Sequence, residues 1–159
     1  MAYEVTVGTE TVEIYKANEV KKAEGEVYSV TEWKENALEQ RAELAPEQLR
    51  ELLTILGQKK AESGGPVRIN CSGGVHRSVV AAVLYLWSRS DKTLGTVYES
   101  VFLAGLEAGR KPSGMVTNTL GYAIARLLQK AIGANPVNWT ATKDLVYAGA
   151  AQQALYGAK

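Results

Sequence analysis

The sequence predicts an α/β domain, a short mixed β-sheet flanked by helices, and three features point there. Most of residues 3–33 alternates β-branched or aromatic residues with polar ones, the period of strands. Later segments are apolar at helical spacing. Between the two regions, the β-branched run "VRIN" (67–70) passes through a cysteine and a glycine pair directly into an apolar helix. With 159 residues and 46% hydrophobic side chains, the chain suits one domain with its own core.

The elements follow in order. "YEVTVGTETVEIYKANEV" reads as two antiparallel strands turning at Gly8, and "EVYSVTEW" (26–33), after the polar break "KKAEG", as a third. "KENALEQRAEL" lacks an apolar stripe and reads as a loop. Pro46 then fits a first helical position, and Leu49, Leu52, Leu53 and Leu56 recur at i, i+3, i+4 and i+7 ahead of Gly57. "ESGGP" is a turn, and "VRIN" a buried strand ended by Cys71. "SVVAAVLYLWSRS" is apolar nearly all round and predicts a buried helix. "LGTVYESVFLAGLEAGR" predicts a helix ending at glycine, "KPSG" a loop, and "MVTNTLGYAIARLLQKAI" a further helix. The tail breaks at Pro136 and ends as an alanine-rich packing helix.

Composition excludes several function classes. The 18 basic and 17 acidic residues balance to a net charge of +1, so nothing advertises nucleic acid or an anionic membrane as partner. One cysteine and one histidine cannot supply a disulfide framework or the ligands of a structural zinc. The start lacks the basic-then-apolar pattern of a leader, and no run approaches membrane-spanning length. A cytoplasmic, reducing location is expected. The "NWT" acceptor at 138 carries little meaning without a secretion signal.

The single thiol lies in "INCSGGVHRS" (69–78). A strand, then Cys71-Ser72-Gly73-Gly74-Val75-His76-Arg77-Ser78, then a helix would gather backbone N–H groups at a helix N-terminus. Such a turn is an anion cradle. Glycines 73 and 74 allow the backbone to point those groups inward, and the same dipoles favour a thiolate at Cys71. Arg77 carries a planar fork that can clamp two phosphate oxygens, and Ser78 can donate to the departing thiolate. His76 reads as a residue of the rim. The arrangement suits nucleophilic attack on a phosphate monoester, with a carboxylic acid opposite to protonate the leaving oxygen. The plain alternative is a cysteine acting as a small buried hydrophobe. Likewise, "RKPSG" (110–114) places two cations where they could attract phosphate, although exposed pairs of this kind usually bind nothing specific.

These residues resemble the H-C-x-x-G-x-x-R-[ST] signature of the cysteine-dependent protein tyrosine phosphatases. "VYSVTEWKEN" resembles the strand leading into that family's mobile W-P-D acid loop, "GGPVRINCSGGVHRS" its signature stretch, and "RKPSGMVTNTLGYAIARLL" its R-P-G-M-V-Q-T segment. The resemblance spans about residues 3–132 of a single domain 1–159, with 133–159 a C-terminal helical extension, and is strongest for the C-terminal half of the phosphotyrosine-specific branch, bacterial and effector-type members included.

The resemblance implies a protein-tyrosine-phosphatase-like fold in abbreviated form and hydrolysis of phosphotyrosine or another aryl phosphate through a phosphocysteine, without cofactor or metal. It makes Cys71 the nucleophile, Arg77 the clamp, Ser78 the hydroxyl that helps expel the thiolate, and the amides of Ser72, Gly73, Gly74, Val75, His76 and Arg77 the phosphate cradle. Trp33 becomes the hinge of the acid loop and Glu35 the general acid. The sequence departs from the pattern at Asn70 for histidine, Lys34 for proline, glutamate for aspartate at position 35, and Thr117 and Gly121 for two glutamines, which leaves Asn118 as the residue able to position water.

The altered acid and glutamine positions keep a second expectation open, a weak or inactive pseudophosphatase that binds phosphorylated ligands. A rhodanese- or arsenate-reductase-like thiol enzyme is a remote third. The partner expected is a phosphorylated protein or small aryl phosphate. A half-complete sheet with an open edge also points to a homodimer or a partner subunit, and an effector-type member would be delivered to a host cell.

Overall fold

The computed structural model describes residues 2–30, 46–71, 77–92 and 94–110. Four strands form one mixed sheet in the order β1-β2-β4-β3. β1 (Tyr3–Val7) and β2 (Glu10–Lys16) make the expected hairpin, with Val7 level with Glu10 and Gly8 at a φ of 63° that favours glycine. β4 (Val67–Cys71) runs parallel to β2 on one side and to β3 (Tyr28–Ser29) on the other.

Alternation sorts the side chains. Tyr3, Val5 and Val7, then Val12 and Ile14, then Val67, Ile69 and Cys71 share one face and are buried. Glu4 and Thr6 on the other face are exposed, and Thr11, Glu13 and Arg68 beside them are partly so. Three helices cover the apolar face. α2 (Arg77–Ser88) lies over β2 and β4, α1 (Pro46–Ser63) packs on α2 and β4, and α3 (Leu94–Glu107) packs on α2 and β1. Every residue from Ala81 to Ser88 is buried, as an all-round apolar helix requires. Among the described residues, no helix is long and apolar enough to cross a membrane.

Two expectations need correction. The second strand does not continue to Val20. It stops at Lys16, whose N–H donates to the Glu19 carboxylate at 2.7 Å, and Ala17–Lys22 turns into a 3-10 helix. The third strand pairs only at Tyr28–Ser29, and residues 31–33 lie outside the described region. α1 runs on through Gly57, where a Cβ would stand 2.5 Å from an Arg89 guanidinium nitrogen, to Ser63. The stop comes at Gly64, with φ 66° and its N–H on the Lys60 carbonyl at 2.9 Å. Leu52, Leu53 and Leu56 are buried as their spacing predicts. The expected loop at 34–44, the "KPSG" loop, and the helices of 115–132 and the tail lie outside the described residues, as does the side chain of Leu49.

A buried polar tie joins the layers at the hairpin end. Tyr85 of α2 donates to Glu10 Oε1 at 2.8 Å, Lys60 of α1 stands 3.1 Å from Glu10 Oε2, and Arg89 lies over the Tyr85 ring at 5.3 Å. Burial by itself would raise the Glu10 carboxyl, but the bonds from Tyr85 and Lys60 and the charges of Lys60 and Arg89 outweigh it and hold the group below its ordinary value. The stabilisation is therefore complete above the unfolded-state pKa of roughly 4.3 and is lost as pH falls through the lower folded-state value. Tyr85→Phe should cost about 2 kcal/mol in urea unfolding near neutral pH. The gap from the native chain should shrink once the medium is acid enough to protonate Glu10.

Candidate active site

The candidate site begins where β4 ends. Val67, Ile69 and Cys71 alternate onto the helix-covered face, so the last strand residue carries its thiol into the interior, and Cys71 is buried. α2 starts at Arg77. Its first turn has N–H groups with no helical acceptor, and one of them, that of Ser78, donates to Cys71 Sγ at 3.4 Å. The strand and the helix read from the sequence are thus present on either side of 72–76, which lie outside the described residues, with the sulfur held against the helix N-terminus, where partial positive charge favours an anion. The Ser78 side chain is fully buried, and its Oγ has no hydrogen-bond partner among the described residues.

The antiparallel β1 starts where the parallel strands end, so further groups collect at this edge. Lys16 is level with Cys71 across the β2–β4 ladder, and Tyr3 is level with Ile14. Glu19 follows from β2. Arg110 arrives from α3 through a cap in which Gly109, at φ 83°, sends the chain back and the Arg110 N–H bonds the Gly105 carbonyl at 2.9 Å. The Arg110 side chain is 1% exposed, donates to Glu19 Oε1 at 3.2 Å, and lies over the Tyr3 ring at 5.0 Å. Burial would raise the Glu19 carboxyl. Hydrogen bonds, the Lys16 N–H among them, and the Arg110 charge hold it below the usual range instead.

Residues 2–122 match the family model described as protein-tyrosine phosphatase. The chain belongs to the protein-tyrosine phosphatase family. No curated protein matches it, and no solved structure does. The small mixed sheet with its helical layer is consistent with an abbreviated phosphatase fold.

Of the residues singled out in the sequence, the structure brings Cys71 and Ser78 together and places Arg77 as the first residue of α2. Ser72, Gly73, Gly74, Val75 and His76, the acid-loop residues Trp33 and Glu35, and Asn118 lie outside the described residues. Arg110 corrects an expectation: it is no exposed phosphate-attracting cation but an internal one, paired with a carboxylate 91 positions earlier in the chain. Tyr3 and Glu19 carried no signal, since a strand-initial tyrosine and a glutamate in "ANEVKK" look like ordinary fold residues until the strands are assembled.

Glu19→Gln would neutralise the carboxylate paired with the buried Arg110 guanidinium. Such a loss costs about 3 kcal/mol, and it should appear as an earlier urea midpoint with unchanged slope.

Proposed function

We propose that the chain is a cysteine-dependent phosphatase acting on phosphotyrosine or another aryl phosphate monoester. The observation that carries the proposal is the Ser78 N–H on Cys71 Sγ, in a chain of this family. It supports a thiol whose ionised form is favoured, held at the start of the helix that follows the signature segment.

In the first step the Cys71 thiolate attacks phosphorus, the S–P bond forms as the bond to the aryl oxygen breaks, and that oxygen takes a proton from the carboxyl of Glu35. In the second, water attacks phosphorus, its proton passes to the Glu35 carboxylate, and the S–P bond breaks to release phosphate and the thiolate. Arg77 and the amides of 72–77 carry the charge on the phosphoryl oxygens in both, Trp33 anchors the acid loop, and Asn118 orients the water. No metal or cofactor takes part.

The departures at Lys34, Glu35, Thr117 and Gly121 favour a second reading, a pseudophosphatase that holds phosphorylated ligands without turnover. A glutamate in place of aspartate shifts the acid by one methylene, and misplacement on that scale costs roughly a hundredfold in rate.

Phosphate release from an aryl phosphate and a phosphotyrosine peptide separates the readings. The phosphatase predicts turnover abolished in Cys71→Ser; the binder predicts none in either protein while both retain phosphopeptide. Ser78→Ala should slow the second step about tenfold or more, seen as a burst of aryl alcohol followed by a slower steady state, because the leaving thiolate loses a donor.

A further inference from the structure

The β2–β4 ladder brings the side chains of paired residues together. Glu13 and Arg68 are partners in its register, and their side chains meet, with Arg68 Nε 3.1 Å from Glu13 Oε1. Further along the same register the partners are Lys16 and Cys71. Val12 and Ile14 pair with Val67 and Ile69 on the helix-covered face, and alternation puts Lys16 and Cys71 on that face too, on strands about 4.8 Å apart. α2 lies over both strands on this side, and its first turn holds the sulfur. A lysine, a thiol and a helix N-terminus therefore share one corner of the fold.

Lys16 differs from the other enclosed cations. Lys59, Lys60, Arg68 and Arg110 are buried or partly buried, and each pairs with a glutamate. Lys16 is partly buried as well, yet among the described residues its ammonium has no ion-pair partner. The carboxylate that follows it in the chain is engaged elsewhere: Glu19 takes the Lys16 N–H at 2.7 Å and the Arg110 guanidinium at 3.2 Å. A cation drawn partly out of water is favoured by an anion beside it. The group level with Lys16 that can become one is the Cys71 thiol.

We propose that Lys16 is a positioning residue for Cys71, its ammonium supplying the charge that favours the thiolate. The inference rests on the reading of Cys71 as the nucleophile. An opposite charge within about 4–6 Å favours the ionised form of a titrating group, and a flexible four-carbon stem anchored one strand away gives the ammonium that reach. The effect acts through space and needs no hydrogen bond to sulfur. Other charged or titratable residues stand on the elements around the sulfur: Tyr3 on β1, Tyr28 on β3, Glu19 on the 3-10 helix, Arg77 on α2 and Arg110 beyond α3. Glu19 and Arg110 offset one another as a pair, while Lys21 and Lys22 of the 3-10 helix and Glu51 of α1 are exposed and screened by solvent. Lys16 and Arg77 are then the cations left to balance the sulfur.

The test is the thiolate absorbance of the full chain followed from about pH 5 to about pH 9, below the range of ordinary tyrosines, with Cys71→Ser subtracted. One cysteine makes the signal single-site. Substitutions at Lys16 leave the backbone N–H that holds Glu19 in place. The native midpoint should lie below that of a free thiol, and Lys16→Met should raise it by about one unit, a tenfold loss of thiolate between the two midpoints. Lys16→Gln, neutral but polar, should give the same shift, and Lys16→Arg, which keeps the charge, should hold the native midpoint. A native midpoint in either neutral variant overturns the inference and leaves the nucleophile standing. So does a midpoint raised as far by arginine as by methionine, because shape and not charge would then be at work. A native thiol that titrates like a free one overturns the activated nucleophile itself, and the inference with it.

Discussion

The structure depends on where β4 sits and where it stops. It has a parallel neighbour on each side and three helices over one face, so its side chains at 67, 69 and 71 have nowhere to go but the core. The chain enters this parallel strand from its parallel neighbour β3 by way of α1 and leaves it as α2, whose N-terminus lies back on the strand it has just left. The hydrogen bond from Ser78 N–H to Cys71 Sγ is the consequence. Shortening β4 by a residue, or moving the start of α2, would separate a sulfur from the one helix terminus that favours its charge.

Around that edge the fold uses charge in the interior only where each group is closed by another. Glu10 is closed by Tyr85 and Lys60 at the hairpin end, and Glu19 by Arg110 and the Lys16 N–H at the site end. Glu10 opens β2 and Glu19 lies in the 3-10 helix that follows it, so the two sit toward opposite ends of that strand. Both tie a strand to elements far along the chain. Buried ionic ties of this kind are poor sources of net stability, and their use here is geometric: they set how elements far apart in the chain sit over the strands.

The glycines show how a residue's meaning depends on what faces it. Gly8, Gly64 and Gly109 do what local rules expect, each with a positive φ at a turn or helix end. Gly57 does not have such a φ, and what stands over it is the guanidinium of Arg89, the residue that follows α2. Gly25 is similar, since a Cβ there would stand 2.8 Å from an Arg68 guanidinium nitrogen that belongs to β4's neighbourhood. No window of sequence around position 25 or 57 contains the arginine that explains it.

What the sequence by itself determined is the periodic part: the hairpin at Gly8, the leucine stripe after Pro46, the strand before Cys71 and the buried helix after it, and with them the position of the thiol between strand and helix. These follow from side-chain alternation and helical spacing, which act over a few residues. The element ends were less legible. β2 stops at Lys16 because a carboxylate three residues later captures its N–H, and the strand pattern runs on regardless. Only the tertiary structure decided which charges are interior, that Arg110 turns inward to Glu19 and not outward to phosphate, and that its guanidinium lies over the ring of a tyrosine at the start of the first strand. The reason is that such neighbours are set by strand order and helix placement, and by the net balance between burying a charge and pairing it, neither of which leaves a mark on the residues nearby in sequence.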